Sequence, residues 1–175
     1  MTTDTDIEKI KSKIRDIPDF PKSGIIFKDI TPILKDPELL KLSIDKIKDR
    51  ISNIDYVVGI ESRGFIFGAA LAYAMGVGFI PVRKPGKLPY KKKSISYSLE
   101  YGIDTLEIHE DAVEKGSKVV IVDDLLATGG TAFATYQLLT NMGAEVVEAV
   151  FLIELLVLKG REKLSACKVT SLISY

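Results

Sequence analysis

Apolar residues along the chain switch between helical spacing and short continuous runs. A capping box formed by Thr5 and Glu8 precedes isoleucines that recur every three or four residues, which predicts a first helix containing Ile7, Ile10, Ile14 and Ile17. A second helix is predicted to begin at Pro37, since proline is favoured at the first helical position. Further helices are predicted over 65–75 and 131–142, and each is followed by a glycine that can end it.

Short apolar runs between these helices predict strands over 56–60, 79–82, 119–122, 146–153 and 169–173, and two more around Gly102 over 95–101 and 105–108. Strands that alternate with helices indicate an α/β protein with a mostly parallel central sheet flanked by helices. Ligands bind such sheets at the carboxyl ends of the strands. The places to search are therefore those after Ile60, Val82 and Val122.

Composition narrows the class of protein. The chain has 175 residues, which suits a single domain, and its 24 basic and 24 acidic residues give no net positive field for nucleic acid. The one cysteine, Cys167, excludes an internal disulfide and fits a reducing compartment, so we expect a cytoplasmic protein. The polar start predicts no secretory signal. The apolar run 147–158 contains Glu148 and Glu154 and is too short to span a bilayer, so no membrane partner is expected.

The segment after Val122 has the chemistry of a ribose 5-phosphate site. Asp123 and Asp124 follow a β-branched run, and a small-residue loop then leads into a predicted helix, so that residues 119–132 read VVIVDDLLATGGTA. Glycines let backbone N–H groups close around an anion, and the start of a helix adds partial positive charge. Carboxylates at the strand end suit paired sugar hydroxyls or a hydrated Mg²⁺.

This segment resembles the phosphoribosyl diphosphate (PRPP) motif of type I phosphoribosyltransferases. Other segments are similar to the adenine-specific members of that family, in chain order DFPKSGIIFKDITPIL (19–34), ESRGFIFG (61–68), RKPGKLP (83–89), YSLEYG (97–102) and LKGREKL (158–164). The resemblance implies the type I fold, a single domain over 1–175 with a base-side segment over 1–35, and a small hood with a flexible hairpin loop over 85–107.

The resemblance also implies the reaction. The 5-phosphoribosyl group passes from PRPP to adenine, which gives AMP and pyrophosphate, and Mg²⁺ is the expected cofactor. The metal is expected to be held mainly by PRPP and water, so no protein ligand is assigned. A homodimer is expected as well.

The resemblance assigns roles to residues at each strand end. Asp123 and Asp124 are expected to hold the ribose hydroxyls and to act in catalysis, while the phosphate is bound by Ala127, Thr128, Gly129, Gly130 and Thr131. Pyrophosphate is expected to contact the loop Glu61, Ser62 and Arg63, and also Arg83 and Lys87. Arg63 is expected to take part in catalysis. A non-proline cis peptide bond is expected at Glu61–Ser62 or next to it.

The adenine contacts implied by the resemblance are Ile26, Lys28, Ala127 and Leu155. Many relatives carry arginine where this chain has Lys28, and lysine lacks a planar face for stacking. Glu100 matches the acidic residue that handles a proton of the purine. His109, the one histidine, matches nothing catalytic and is expected at the surface.

Several alternatives remain open at this stage. The acceptor base could be another purine such as xanthine or hypoxanthine, and the same fold could serve a non-catalytic regulator that senses PRPP. Zero net charge and complete loops argue against the regulator. Leu155 also fits an ordinary core position, and Glu100 also fits a solvated hairpin.

Overall fold

The computed structural model describes residues 5–99 and 102–175. Two compact units make up the chain, Met1–Lys46 and Ile47–Tyr175. The interpretation of 1–175 as one domain stays a prediction.

From Thr5 onward, the first unit consists of short elements, which are α1 (Thr5–Lys11), β1 (Arg15–Pro18), β2 (Ile26–Asp29), α2 (Thr31–Lys35) and the greater part of α3 (Pro37–Lys48). The predicted first helix was too long, because residues 15–18 pair with 26–29 as antiparallel strands instead. The isoleucine spacing misled here, since Ile17 is 37% exposed. Across the two strands, Arg15 forms an ion pair with Asp29 at 2.7 Å.

The second unit alternates strands with helices, in the order β3 (Tyr56–Ile60), α4 (Arg63–Met75), β4 (Gly78–Val82), β5 (Lys92–Leu99), β6 (Gly102–His109), β7 (Lys118–Leu126), α5 (Gly130–Asn141), β8 (Glu145–Glu154), the 3-10 helices Leu156–Leu158 and Gly160–Leu164, and β9 (Lys168–Ser174). Within its described residues, five parallel strands form the central sheet in the order β4–β3–β7–β8–β9. The predicted α/β fold with a mostly parallel sheet flanked by helices is confirmed.

The apolar runs that predicted these strands form the core of the sheet. Residues 119–122 of β7 and 149–153 of β8 are buried on both faces, as expected for central parallel strands. Strand β7 is longer than predicted and continues through the two aspartates, because its pairing with β8 extends to Leu126 opposite Glu154. The carboxylates therefore project from a rigid strand rather than from a loop.

The predicted pair of strands around Gly102 is also present. β5 and β6 pair in antiparallel fashion, with Lys92 opposite His109 and Leu99 opposite Gly102. A backbone bridge joins this hairpin to the chain that follows β4, since Arg83 and Glu107 exchange N–H to carbonyl bonds of 2.9 and 2.8 Å. Among the helices described, none has the length and apolar character needed to cross a membrane.

Candidate active site

The carboxyl ends of three neighbouring strands meet at one edge of the sheet. β3 pairs with both β4 and β7, which places Ile60 opposite Val82 and Gly59 opposite Val122. The polar residues that follow these positions therefore lie close together. Gly64 brings the start of α4 against β7, because a Cβ atom at Gly64 would lie 2.7 Å from the carbonyl oxygen of Val122.

The two adjacent aspartates occupy different environments. Asp124 is 3% exposed, and its carboxylate lies 3.0 Å from Nε of Arg63. Asp123 is half-buried, and its Oδ1 accepts a 2.9 Å hydrogen bond from the backbone N–H of Asp124. Burial, followed by the charge of Asp124, raises the pKa of Asp123 well above its ordinary value. Burial also raises the pKa of Asp124, although the charge of Arg63 opposes this.

The loop after these aspartates encloses a small cavity of about 90 Å³, which is lined by Asp123, Leu125, Leu126, Ala127, Thr128, Gly129, Gly130, Thr131 and Ala132. Gly129 adopts a left-handed conformation with φ of 77°, and α5 begins at the next residue. No side chain caps this helix start, and its first turn carries no acidic residue. Backbone N–H groups and the helix dipole therefore favour an anion in the cavity.

The loop packs directly against a second backbone segment, where Gly129 and Gly160 allow the two segments to cross in close contact. A Cβ atom on Gly129 would lie 2.3 Å from the carbonyl oxygen of Gly160, and a Cβ atom on Gly160 would lie 2.3 Å from that of Ala127. The backbone of the second 3-10 helix therefore touches the loop over 127–130, which we call the phosphate loop after its expected role. The sequence shows both glycines, but it gives no sign that they meet.

Glu61 organises the cations at the next strand end. Its carboxylate, 9% exposed, accepts hydrogen bonds from Nζ of Lys87 at 2.6 Å, from the N–H of Lys84 at 2.8 Å and from Nε of Arg83 at 3.3 Å. Burial acts to raise its pKa, but these donors outweigh burial and hold the pKa at about 2. The expected cis peptide bond is found at Glu61–Ser62. Two residues expected to bind pyrophosphate, Arg83 and Lys87, thus share one carboxylate.

A polar cluster that sequence reasoning missed joins the hairpin to the phosphate loop. Lys84 forms an ion pair with Asp104. The hydroxyl group of Tyr97 lies 3.1 Å from the Asp104 carboxylate and 3.1 Å from the hydroxyl oxygen of Thr131. Nothing in the sequence links these residues, because they come from three separate segments.

The remaining predicted residues are placed as follows. In the first unit, Lys28 forms an ion pair with Asp16 at 2.6 Å, and Ile26 is exposed. Leu155 is half-buried at the end of β8. Glu100 lies outside the described residues. His109, expected at the surface, is half-buried, and its ring meets Tyr90 edge-on at 6.0 Å.

Comparisons with known proteins agree with one another. A family model described as phosphoribosyl transferase domain matches residues 29–173. The adenine phosphoribosyltransferase of Acetivibrio thermocellus is 55% identical over 169 residues, which cover 95% of this chain and 99% of the relative.

Solved structures give the same result. The crystal structure of adenine phosphoribosyltransferase from Thermoanaerobacter pseudethanolicus matches with a TM-score of 0.95 at 54% identity, and covers 97% of this chain and 99% of its own. The Saccharomyces cerevisiae enzyme, crystallised with an imino-altritol bisphosphate and adenine, has a TM-score of 0.93 at 44% identity, with 97% and 99% covered.

Proposed function

The chain belongs to the adenine phosphoribosyltransferases within the phosphoribosyltransferase family, and on that premise we propose how its residues perform the reaction. The reaction is the transfer of the 5-phosphoribosyl group from PRPP to adenine, which gives AMP and pyrophosphate in purine salvage. The observation that carries the assignment of residues is the cavity lined by Asp123 and by residues 125–132, where the start of α5 and the carboxylate of Asp123 face the same space.

The ribose 5-phosphate portion of PRPP is bound in this cavity. Backbone N–H groups from Ala127 to Thr131 bind the phosphate, and the Thr131 hydroxyl adds a donor. Asp123 and Asp124 accept hydrogen bonds from the ribose hydroxyls. As the anomeric carbon loses pyrophosphate it gains positive charge, which the carboxylate pair stabilises from below.

The pyrophosphate group is held by the cations of the two neighbouring strand ends. Arg83 and Lys87, gathered by Glu61, bind its oxygens, with Ser62 and Arg63 alongside them. Guanidinium groups suit phosphate because their donors match its oxygens in pairs. The positive charge of these side chains stabilises the leaving group.

Mg²⁺ is the proposed cofactor. This ion retains several waters and binds through one or two carboxylates together with substrate phosphates. Asp123 fits such a role, since it is only partly buried and lines the cavity. A bound Mg²⁺ would supply positive charge against the diphosphate.

Adenine recognition is proposed from the family resemblance. Ile26 reads the purine edge through its backbone, and Lys28 contacts the ring in competition with its ion pair to Asp16. Ala127 and Leu155 are proposed to contact the base as well. Glu100 is proposed to handle the proton of the purine.

The direct test is formation of AMP from adenine, PRPP and Mg²⁺. We expect turnover with adenine and little with xanthine or hypoxanthine. Turnover with another purine instead would reassign the base, and the absence of turnover with every base would favour a PRPP-sensing regulator. Replacing both aspartates, Asp123→Asn with Asp124→Asn, should abolish most turnover while the fold is retained. Near-normal kcat in this double variant would refute the proposed role of the pair.

A homodimer and a cytoplasmic location are also proposed. Helix α4 carries no charged residue after Arg63, yet Ile66 is 42% exposed and Tyr73 is 91% exposed. Positions 66, 69 and 73 share one face of the helix, so this apolar face fits a second copy of the chain. The proposal of a cytoplasmic location rests on cysteine usage, since the single cysteine, Cys167, leaves the chain without an internal disulfide.

A further inference from the structure

The hydroxyl group of Tyr97 lies at the junction of the hairpin and the phosphate loop. Its oxygen is 3.1 Å from Oγ1 of Thr131, 3.1 Å from the carboxylate of Asp104 and 3.5 Å from Nζ of Lys84. The ring of Tyr97 lies over Gly130, since a Cβ atom there would be 3.7 Å from the ring. The contact therefore lies directly at the start of α5.

Counting protons fixes the direction of these hydrogen bonds. A tyrosine hydroxyl has one proton to donate, and a carboxylate can only accept. Burial acts to raise the pKa of Asp104, but Lys84 outweighs it and keeps the carboxyl ionised. The bond to Asp104 thus uses the Tyr97 proton, and Thr131 must donate its own proton to the Tyr97 oxygen. In this arrangement the Thr131 proton is directed away from the cavity.

A phosphate group in the cavity requires the opposite arrangement. Phosphate oxygens are acceptors, so Thr131 must turn its proton toward the ligand. Its oxygen is then left without a donor unless Tyr97 turns its own proton from Asp104 to Thr131. Asp104 keeps Lys84 as a partner, and Lys84 also donates to the Tyr97 oxygen.

We propose that Tyr97 is a positioning residue that reverses the hydrogen bond it shares with Thr131 when the 5-phosphate binds. In the bound state each group donates a hydrogen bond to the next, so that Lys84 donates to Tyr97, Tyr97 to Thr131 and Thr131 to the phosphate. Hydrogen bonds aligned in this way strengthen one another. The inference rests on the proposed function, since it requires Thr131 to bind the 5-phosphate.

The reversal also links phosphate binding to the hood. Tyr97 belongs to β5, and Asp104 lies opposite it on β6, so both strands of the hairpin hold the same hydroxyl group. When PRPP binds, the hydrogen bond from the Tyr97 hydroxyl to Asp104 is broken, and this bond lies within the hairpin. PRPP binding and the position of the hairpin are therefore coupled through one hydroxyl.

Steady-state kinetics of the full chain with Mg²⁺ tests this proposal through the variants Tyr97→Phe, Thr131→Val and their combination. Tyr97→Phe keeps the ring over Gly130 and removes only the hydroxyl. We expect its KM for PRPP to rise about threefold to tenfold, the usual effect of one hydrogen bond, with kcat and the KM for adenine nearly unchanged. Tyr136→Phe removes a phenol hydroxyl from α5 and serves as the matched control.

The double variant separates the possible outcomes. Because Tyr97 acts through Thr131, adding Tyr97→Phe to Thr131→Val should raise the KM for PRPP no further. The inference would be overturned if the two substitutions raised the KM for PRPP independently, so that their factors multiply in the double variant. An unchanged KM for PRPP in Tyr97→Phe alone would also overturn it. A rise of both substrate KM values together would assign Tyr97 a structural role and also overturn it. If Thr131→Val itself leaves PRPP binding intact, the phosphate site of the proposed function is wrong, and the inference falls with it.

Discussion

Charged residues at this site differ in what they contribute to folding. Asp123 and Glu61 both lie at strand ends, and both are partly buried in the folded chain. Glu61 is surrounded by three donors, so its charge is stabilised and its pKa falls to about 2. Burial raises the pKa of Asp123, and the like charge of Asp124 beside it raises that pKa further. The first carboxylate therefore stabilises the fold at neutral pH, and the second destabilises it.

The variant Asp123→Asn should be more stable than the parent at pH 7. Because the pKa of Asp123 is raised in the folded state, its carboxyl group stabilises the parent at pH values below the ordinary pKa of 3.8. This stabilisation is lost as the pH rises through the pKa of the folded state. Removing the charge should raise Tm by roughly 2–4 °C for each kcal/mol gained. Turnover should fall about 100-fold, as when other electrostatic groups are removed from active sites.

Thermal unfolding measured from pH 3 to pH 8 checks this prediction. The Tm difference between variant and parent should disappear near the acid end of that range, where Asp123 is protonated in both states. Asp49→Asn removes a carboxylate from an exposed turn and should change neither Tm nor turnover. A variant that is less stable at pH 7 would contradict the destabilising role of Asp123.

The variant Glu61→Gln should show the opposite pH dependence. In the parent, the lowered pKa of Glu61 stabilises the folded state at pH values above the ordinary pKa of 4.5. This stabilisation is lost as the pH falls toward the folded-state pKa of about 2. The variant should thus be less stable than the parent at neutral pH, and the two should converge in acid. Because Arg83 and Lys87 lose their common anchor, the KM for PRPP should rise roughly tenfold, on the scale of a hydrogen bond between charged groups.

Denaturant unfolding at pH 3 and pH 7, together with PRPP kinetics, measures both effects. The matched control is Glu162→Gln, which changes an exposed glutamate on the second 3-10 helix. A stability loss that stays the same at both pH values would show that Glu61 acts through packing rather than through its charge.

At the scale of elements, the sequence predicted structures that depend on one segment alone, but it did not predict contacts between separate segments. The apolar runs of β3, β7 and β8 and the glycine-rich start of α5 indicated a phosphate site at a strand end, and the structure has a cavity there that is lined by Asp123 and residues 125–132. The end of α1 was predicted wrongly, because isoleucine spacing cannot reveal that 15–18 pairs with a strand farther along the chain. The meeting of Gly129 with Gly160 requires the folded chain for the same reason.

Because the two backbones touch where Gly129 meets Gly160, a larger residue at Gly160 should lower stability and weaken PRPP binding. Its Cβ atom in Gly160→Ala would lie 2.3 Å from the carbonyl oxygen of Ala127, and backbone cannot move aside as a flexible side chain can. Overpacking of this kind costs about 1–3 kcal/mol of the free energy of unfolding. The phosphate loop must shift, so the KM for PRPP should rise as well.

Thermal unfolding and PRPP kinetics of Gly160→Ala should therefore change together. Gly116→Ala is the matched control, since Gly116 has φ of 86° but no atom within 4 Å of a Cβ position, and it carries backbone strain alone. This control should lose stability while its KM for PRPP stays unchanged. Wild-type PRPP kinetics in Gly160→Ala would show that the crossing does not support the loop.

At the scale of the whole molecule, helix α4 connects the proposed catalytic site with the proposed dimer contact. Arg63, its first residue, forms the ion pair with Asp124, and Ile66 begins the exposed apolar face one turn later. A partner that covers this face would restrain the helix and hence the position of Arg63. The catalytic site is thus expected to depend on assembly even though the carboxylates and the phosphate loop belong to one chain.

The variant Tyr73→Glu should therefore convert a dimer into a monomer and reduce turnover. Sedimentation of the parent chain should give twice the chain mass of 19.3 kDa, and the variant should sediment at the mass of one chain. A charge in the centre of an apolar contact must be desolvated without a partner, which opposes association. Ile103→Glu places the same charge on another exposed apolar position, 78% exposed on β6, and should leave the dimer intact. A parent chain that sediments as a monomer would refute the dimer, and a dimeric Tyr73→Glu variant would move the contact away from α4.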